Sequence, residues 1–552
     1  MRALLRPLPR AVTRPVSVLL MIGWAAVMAI LIHRSYLQAS TRLAADLARY
    51  GSAAVWRGVY YRGEKIGFTV SQTVTKDEGF LLEEDGRLQM ALLGATTPAT
   101  LHTAVHVDKA FTLNAFEFSI DPGTGPTEVR GRVDGTRLTI EVKTPTGSRS
   151  EVRDLEEPPA LAQNISRRLA NGGLVPGAKY QWAVFDPATL RNSKVNVEVG
   201  RRELVRGAGA VPLPAFRVDM EFAGLKTVSW ITDTGEVVRE ESPLGLITVR
   251  ESADSAQGMA VSRRMQVDLL QAAAITPRMK IPIVEPRDVR LMRVRLGGAD
   301  VPTGDLDGGS QHLSGNILEL RDPQALKPER ADPDAAHYLA PEAFIESDAP
   351  EIVTEAQKAV GGVTGARARS ERLTRYVNAL LDKKPTVSLP SAREVLRTKV
   401  GDCNEHTVLY VAMARALGIP ARIAVGLVYI HGAFYYHAWP EVYVTEGEGL
   451  RAQGAGQRKR EGSRAQGAGL WLPVDPTLNQ FPADATHLRL ARGGLDKQTV
   501  ILPLMGRLTL DVLDVELAPN ATPILVGKQP LDLGALAIPI PRRQSACCVC
   551  PR

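Results

Sequence analysis

Alternating apolar and polar residues dominate the first half of the chain. Segments 195–199 and 216–222 place an apolar residue at every second position. This period is typical of strands with one buried and one solvated face. Turn-forming residues separate such segments, as at 62–65, which predicts hairpins. We therefore expect a large antiparallel sheet, curved into an open, half-barrel-like form, in a β-rich domain over residues 51–284. Only 158–171 has a helical pattern there.

Two shorter strand patterns follow, at 289–295 and 317–321, separated by Gly- and Asp-rich turns. A segment rich in Pro, Ala and Asp comes next, at 322–342, and is typical of a linker. Residues 285–342 are therefore predicted to form a small β module and a linker.

The pattern changes to helical spacing after residue 343. Apolar residues recur at i, i+3, i+4 and i+7 within 373–381. A second helix is predicted from Cys403 to Leu417, where Gly418 and Pro420 end it. It is apolar nearly all round, so we expect it to be buried at the centre of its domain.

Strands are predicted at 421–430, at 434–444 and near 470–474. Residues 343–500 therefore read as an α+β domain, with helices first and an antiparallel sheet after them. A duplicated Arg-Ala-Gln-Gly-Ala-Gly motif with basic residues between its copies predicts a flexible surface insertion at 445–469. C-terminal strands and a disordered tail are expected in 501–552.

The N-terminus carries a basic segment followed by an apolar run. Four arginines precede residues 16–32, whose length is at the short end for a membrane-spanning helix. The basic flank places the N-terminus in the cytoplasm. We expect residues 1–34 to be a cytoplasmic tail and single-pass signal anchor in a bacterial cytoplasmic membrane. Residues 35–50 would form a stalk, with the catalytic domain on the periplasmic side. A cleaved signal peptide and a buried core helix are the alternatives.

Composition is that of an ordinary globular protein, with 44% hydrophobic and 23% charged residues. The net charge of +7 is spread along the chain, which argues against a nucleic-acid partner. Cysteines are few: Cys403 stands alone, and Cys547, Cys548 and Cys550 cluster at the end, so no disulfide framework is expected. Nucleotide and metal motifs are not found, and we expect no cofactor and no metal.

Cys403 is the strongest candidate for chemistry. A lone thiol at a helix start, with His437 and Asp475 later in the chain, is the set needed for Cys/His/Asp nucleophilic catalysis. The helix N-terminus favours the thiolate, so we expect the pKa of the thiol to lie below its ordinary value. The carboxylate of Asp402 opposes this, so the histidine must contribute most of the activation.

His437 is expected to take the thiol proton and return it to a leaving amine. Asp475 would accept a hydrogen bond from the other ring nitrogen and fix the tautomer. His406 lies one helical turn after Cys403 and is expected to make a structural hydrogen bond. Trp439 and Glu441 are expected to be packing residues on the strand of His437.

Four motifs together resemble the core of the transglutaminase-like superfamily. They are Gly-Asp-Cys-Asn-Glu-His at 401–406, Ala-Arg-Ala-Leu-Gly-Ile-Pro-Ala-Arg at 414–422, His-Ala-Trp-Pro-Glu-Val at 437–442 and Asp-Pro-Thr at 475–477. The resemblance covers about residues 345–500.

This resemblance implies a papain-like fold with Cys403 as nucleophile, His437 as base and Asp475 as orienting residue. Bacterial members of the family are often peptidases or amide-processing enzymes. The same thioester can be attacked by water or by an amine, and the sequence does not choose between hydrolysis and cross-linking.

The sequence therefore predicts a membrane-anchored transglutaminase-like cysteine enzyme that acts on amide bonds of a protein or peptide substrate outside the cytoplasmic membrane. The alternative is a non-catalytic envelope scaffold, in which the β-rich domain binds a partner and the papain-like core is a relic. The roles of the β-rich domain, the insertion and the terminal cysteines stay open.

Overall fold

The computed structural model describes residues 54–519 except 93–94, 208–210, 223–224, 243–244, 259–272, 281, 330, 387 and 446–467. The predicted anchor, the stalk, most of the insertion and the cysteine-containing tail lie outside the described residues. In the part of the chain that is described, the helices are all too short or too polar to cross a membrane.

A 14-stranded antiparallel sheet fills the N-terminal half. Its strands are β1 (Val55–Tyr61), β2 (Glu64–Lys76), β3 (Gly79–Leu92), β4 (Ala95–Asp108), β5 (Leu113–Asp121), β6 (Thr127–Asp134), β7 (Arg137–Thr144), β8 (Gly147–Asp154), β9 (Lys179–Asp186), β10 (Arg191–Val205), β11 (Leu213–Phe222), β12 (Leu225–Ile231), β13 (Val237–Glu241) and β14 (Leu246–Glu251). Among the described residues, two helices accompany them, α1 (Ala162–Asn171) and α2 (Ala253–Gln257).

The sheet must curve back on itself. Strand order runs from β8 to β1 and then from β14 to β9, so β8 and β9 are the two edges. Fourteen strands about 4.8 Å apart would span about 60 Å if the sheet were flat. Yet Ala160, six residues after β8 ends, pairs with Val184 of β9, and six residues reach only about 21 Å. The edges therefore lie close together, as strong curvature requires.

The concave side of this sheet encloses a polar cavity of about 240 Å³. Polar and charged side chains in it are hydrogen-bonded to one another. Arg57 binds Glu84 at 2.6 Å, and Ser229 donates to Glu240 at 2.7 Å. Burial raises the pKa of the Glu240 carboxyl. The polar side chains of this cavity are thus satisfied by hydrogen bonds between strands of the same sheet.

The second half is α+β. Its helices are α3 (Pro350–Val360), α4 (Ala366–Leu380), α5 (Ala392–Thr398), α6 (Cys403–Ala416) and α7 (Gln498–Ile501). Its strands are β15 (Arg278–Met279), β16 (Val289–Gly297), β17 (Gln311–Ser314), β18 (Ile317–Arg321), β19 (Asp382–Lys383), β20 (Val400–Gly401), β21 (Ala421–Ile430), β22 (Ala433–Thr445), β23 (Gly469–Pro473), β24 (His487–Gly493) and β25 (Thr509–Leu517).

A strand from the C-terminal segment completes the predicted small β module. The module's sheet has the order β15-β25-β16-β18-β17, with β25 paired along β16. One hydrophobic core extends from Ile275 through Leu409 to Val512, so the module and the α+β region bury their apolar faces against each other. Separating them would expose that shared core to water.

Helix α6 lies at the centre of the second half. Every residue from 407 to 414 is fully buried, because helices α3, α4 and α5 and strands β21 and β22 all pack against it. The sheet behind it has the order β23-β22-β21-β24 and is antiparallel throughout. This layout confirms the predicted buried helix followed by an antiparallel sheet.

The β-rich sheet contacts the α+β region directly. Phe344 and Leu389 pack into the core under β4 to β7. Arg149 binds Asp348 at 3.1 Å, and Thr97 donates to the Pro385 carbonyl at 3.4 Å. The segment around 385–391 therefore lies between the sheet and the start of α6.

Candidate active site

Two carboxylates fix the first turn of α6. Asp402 Oδ1 accepts the backbone N–H of Asn404 at 2.9 Å, and Glu405 Oε2 accepts the N–H of Asp402 at 2.9 Å. This is a reciprocal capping box, as the N-cap position of Asp402 predicts. Glu405 Oε1 also accepts the hydroxyls of Thr386 and Ser388. The helix start is therefore tied to the segment that contacts the β-rich sheet.

Gly401 is required for this cap. A β-carbon at that position would lie 2.2 Å from Glu405 Cβ, so the capping side chain would have to move. We expect Gly401→Ala to lower the free energy of unfolding by about 1–3 kcal/mol, the usual cost of overpacking, as measured by denaturant unfolding. Gly362→Ala is the matched control, because a β-carbon there meets no atom within 4 Å. Equal unfolding curves for the two variants would contradict this assignment.

Cys403 is the first residue of α6, and its thiol lies at the open edge of β22. Beyond residue 440 that edge pairs with β23, but at Ala438 it faces the helix. The Ala438 N–H is directed at the Cys403 sulfur, and the Ala438 carbonyl accepts the Thr407 hydroxyl at 3.1 Å. Both contacts join the helix to the residue next to His437.

The environment of the thiol corrects one prediction. Burial, reinforced by the carboxyl of Asp402, raises the pKa of Cys403 well above its ordinary value, although the Ala438 N–H acts in the opposite direction. The expectation that the pKa of the thiol lies below its ordinary value was wrong, because desolvation and nearby carboxyls outweigh the helix dipole. Thiolate formation therefore needs a proton acceptor beside the sulfur.

His437 and Asp475 form a buried pair. His437 is on β22, and its Nε2 lies 2.8 Å from Asp475 Oδ2. Asp475 is fully buried two residues after β23 ends, and its Oδ1 accepts the N–H of Leu478 at 2.9 Å. Burial opposes the charge of Asp475, but His437 and His487 hold the pKa of its carboxyl well below the usual range. With Nε2 bonded to a carboxylate, Nδ1 is the ring nitrogen left to serve the thiol.

The sequence reasoning missed a second histidine–aspartate pair at this point. His487 Nε2 lies 3.1 Å from Asp475 Oδ2, and its Nδ1 lies 3.2 Å from Asp484 Oδ1. Asp484 also accepts the hydroxyl and N–H of Thr486. The one available signal was the Asp-Ala-Thr-His spacing at 484–487, which places a carboxylate three residues before an imidazole at the start of a strand.

His406 makes the structural hydrogen bond that was predicted. Its Nδ1 lies 2.6 Å from the carbonyl of Asp402, so Nδ1 carries the proton and donates. Burial lowers the pKa of His406, which favours the neutral ring. Its Nε2 is buried and has no hydrogen-bond partner among the described residues.

Glu441 forms buried ion pairs, whereas a packing role was expected from the sequence. Its two oxygens accept Arg422 Nε at 2.8 Å and Arg489 Nη1 at 2.7 Å, and all three side chains are buried. Arg489 also donates to backbone carbonyls of Asp305 and Gly308. This network connects β21, β22 and β24 to the module in front of them, and so fixes the strands that carry the two histidines.

His437, Asp475 and His487 are also the one group in the described part of the chain whose ligand atoms lie close enough to hold a metal ion, within 4.8 Å of one another. Three of the four ring nitrogens are already engaged: both Nε2 atoms bond to Asp475, and His487 Nδ1 faces Asp484. The arrangement is that of a hydrogen-bonded network, and no metal role follows from it.

The fold and the site define an α+β core in which a helix-borne thiol contacts the residue next to the histidine of a buried histidine–aspartate pair. Residues 354–476 match the model of the transglutaminase-like superfamily. This segment runs from within α3 to just past Asp475, and it is similar to the core of that superfamily. The match includes all three residues selected from the sequence. No curated protein matches the chain.

Solved structures of several kinds are partly similar to this chain. A β-barrel-like protein with a domain of unknown function from Brucella abortus is 11% identical, covers 36% of this chain and 96% of its own, and has a TM-score of 0.30. A candidate cysteine protease from Cytophaga hutchinsonii is 17% identical, covers 44% and 90%, and has a TM-score of 0.25. A candidate protease from Parabacteroides distasonis is 10% identical, covers 65% and 64%, and has a TM-score of 0.18. Scores this low do not establish a common fold.

Proposed function

We propose that this protein is a membrane-anchored cysteine enzyme that cleaves or transfers acyl groups of protein or peptide amides outside the cytoplasmic membrane. The observation that carries the proposal is the 2.8 Å contact between His437 and Asp475, buried next to the strand residue that contacts Cys403. A neutral thiol with a raised pKa is useful for catalysis only if a base is held beside it, and this pair is such a base.

In the first half-reaction, His437 Nδ1 takes the proton of the Cys403 thiol as the sulfur attacks the carbonyl carbon of the amide. The developing oxyanion is held by backbone N–H groups at the start of α6, that of Cys403 among them. His437 then gives its proton to the amide nitrogen, the carbon–nitrogen bond breaks, and the amine leaves. A thioester on Cys403 remains. Asp475 stabilises the imidazolium that exists between these two transfers.

In the second half-reaction, a water or an amine attacks the thioester carbonyl. His437 takes a proton from the attacking water or amine. The carbon–sulfur bond breaks, and His437 returns the proton to the departing sulfur. Water gives a carboxylic acid, and an amine gives a new amide. The residues at the site serve both acceptors equally, so the acceptor depends on what reaches the cleft.

Membrane anchoring is part of the proposal and rests on the sequence alone. The apolar run at 16–32 behind four arginines supports a single-pass anchor with its N-terminus inside. That orientation would place the β-rich sheet and the transglutaminase-like core together on the periplasmic side. Protease accessibility of the core in intact spheroplasts, compared with lysed ones, tests this topology.

Iodoacetamide alkylation tests the role of Cys403 without a known substrate. In a chain with Cys547, Cys548 and Cys550 changed to serine, we expect Cys403 to be alkylated, and His437→Gln to slow alkylation at pH 7 about 10–100-fold because the proton acceptor is lost. The rate is measured by intact mass. An unchanged rate in His437→Gln would refute the proposed base.

A peptide library screened with and without an added primary amine then identifies the reaction. We expect products to form with the parent chain and to disappear in Cys403→Ala. New amides that form only when the amine is present indicate acyl transfer, and free acids indicate hydrolysis. Equal product formation by Cys403→Ala would reject the enzyme and favour a binding role.

A further inference from the structure

Asp475 binds two imidazoles through one oxygen. Oδ2 lies 2.8 Å from His437 Nε2 and 3.1 Å from His487 Nε2, while Oδ1 is occupied by the N–H of Leu478. A carboxylate whose only task is to orient a catalytic histidine does not need a second histidine on the same oxygen. The second ring is fully enclosed, with a side chain only 1% exposed, so its presence there is costly unless its charge or its hydrogen bonds serve the site.

We propose that His487 is a positioning residue of this site, a buried imidazolium held between Asp484 and Asp475 that withdraws part of the negative charge of Asp475 from His437. The inference rests on the proposed function, because it takes His437 as the base. It extends the chain of interactions from the thiol by two residues, Asp484 and His487, which the superfamily motifs of this sequence do not include.

The hydrogen bonds of His487 fix its charge. Both ring nitrogens face carboxylate oxygens, at 3.1 Å and 3.2 Å, so both must carry hydrogens for both contacts to be hydrogen bonds. Burial opposes the charge, but Asp484 and Asp475 outweigh it and raise the pKa of His487 to about 9. Burial also opposes the charge of Asp484, whose pKa is nevertheless held well below its usual range by His487. The ring is therefore protonated at neutral pH.

The balance of charges in the enclosed network explains how protonated His487 affects His437. Asp475 and Asp484 carry two negative charges, and protonated His487 cancels one. A single negative charge is left to balance His437 when it accepts the thiol proton. Without the charge of His487, two carboxylates would hold the proton on His437 too firmly for it to be returned to the leaving amine.

The titratable groups of this network and around it come from four segments of the chain. The loop before β24 contributes Asp484, the segment after β23 contributes Asp475, and β22 contributes His437. Helix α6 contributes Cys403 and His406, whose proton equilibria both respond to Asp475. On β21, Val428 lies opposite His487 in the register. The buried Trp439 lies beside both imidazoles, with ring centroids 6.1 Å from His437 and 5.2 Å from His487.

His487→Gln removes the charge and keeps a donor at the position of Nε2, so it separates charge from geometry. The experiment uses the full chain with serine at the three terminal cysteines and follows the iodoacetamide rate of Cys403 against pH. The ring centroids of His437 and His487 are 6.1 Å apart, and a charge at that distance inside a protein shifts a proton equilibrium by about one to two pH units. We expect the midpoint of the acidic limb to move up by about that amount, and Asp484→Asn to move it in the same direction.

His312→Gln is the control. The ring of His312 lies 3.0 Å from Asp307 in an exposed pair that is not part of the His437–Asp475–His487 network, so its profile should equal that of the parent. A merely structural role of His487 would lower the rate equally at every pH. Nitrogen-15 spectra of labelled histidine give a second readout, with the signal assigned by its loss in His487→Gln. We expect the imidazolium signature at pH 7 and its loss as the pH rises through about 9.

An unmoved or lowered midpoint in His487→Gln, or a neutral ring in the spectrum at pH 7, would overturn the inference. The proposed function fails separately: if His437→Gln leaves the alkylation profile unchanged, His437 is not the base, and both proposals fall. If His437→Gln abolishes the acidic limb while His487→Gln leaves it in place, only the role of His487 is lost.

Discussion

Asp475→Asn is expected to lower kcat/KM by roughly 10³–10⁴-fold, the loss seen when the carboxylate of a catalytic triad is replaced by an amide. The carboxylate of Asp475 accepts three hydrogen bonds: two imidazole N–H groups reach Oδ2 and the N–H of Leu478 reaches Oδ1. An asparagine has one oxygen and one NH₂ group. Whichever way it is placed, a donor meets a donor, and the imidazolium of His437 loses its counter-charge.

The measurement is kcat/KM on a peptide from the screen, with the iodoacetamide rate of Cys403 as a substrate-free readout. Circular dichroism and the unfolding midpoint establish whether the variant is folded. Asp307→Asn is the matched control, since it changes an exposed aspartate that also accepts from a histidine and a backbone N–H. A loss of less than about tenfold for a folded Asp475→Asn would mean that Asp475 does not orient the base.

Much of the site could be predicted because its parts have local signals. Cys403 follows an N-cap aspartate and opens an apolar helix, and His437 lies in a strand pattern that the structure reproduces almost residue for residue. Asp475 comes just after a short apolar strand. Local patterns define elements, and the order of elements in the superfamily then indicated which residues meet.

The remaining features depend on contacts that are distant in sequence. Strand β25 pairs with β16, more than two hundred residues earlier, and no local pattern in either strand names its partner. The same holds for Arg422 and Arg489, which enter the core only because Glu441 lies between them. In a sequence they read as exposed residues on strand faces, since charged residues are seldom buried without a partner.

The direction of the pKa shift of the Cys403 thiol could not be predicted from the sequence either, because two effects of opposite sign act on that pKa. The helix start favours the thiolate, and this effect is visible in the sequence. Desolvation disfavours it, and the degree of burial of Cys403 is a property of the packed structure. Activation therefore needs a proton acceptor, and the groups around the proposed acceptor His437, which are Asp475, His487 and Asp484, meet only in the folded state.

Glu441→Gln is expected to lower the free energy of unfolding by about 3–5 kcal/mol, because it leaves a buried pair of guanidinium groups without their counter-charge. Glu441, Arg422 and Arg489 have side chains only 3–6% exposed. The Arg422 guanidinium also lies 3.8 Å from the centre of the Trp471 ring and cannot turn to water without leaving it. Denaturant unfolding of the full chain measures the change. Glu241→Gln is the control, since Glu241 binds Arg239 at a similar 2.7 Å but is 40% exposed, and we expect it to cost at most about 1 kcal/mol.

The pKa of Glu441 determines how the stability difference between the parent and Glu441→Gln changes with pH. Burial opposes the charge of Glu441, but Arg489 and Arg422 lower the pKa of its carboxyl to about 2. A carboxyl with a lowered pKa stabilises the fold above its unfolded pKa of about 4.3, and that contribution is lost as the pH falls towards 2. The parent chain should therefore lose stability in this interval more steeply than Glu441→Gln, and the two stabilities should converge at low pH. Parallel curves from pH 5 to pH 2 would show that Glu441 is not held as a carboxylate, and that the strands bearing His437 and His487 are fixed by packing alone.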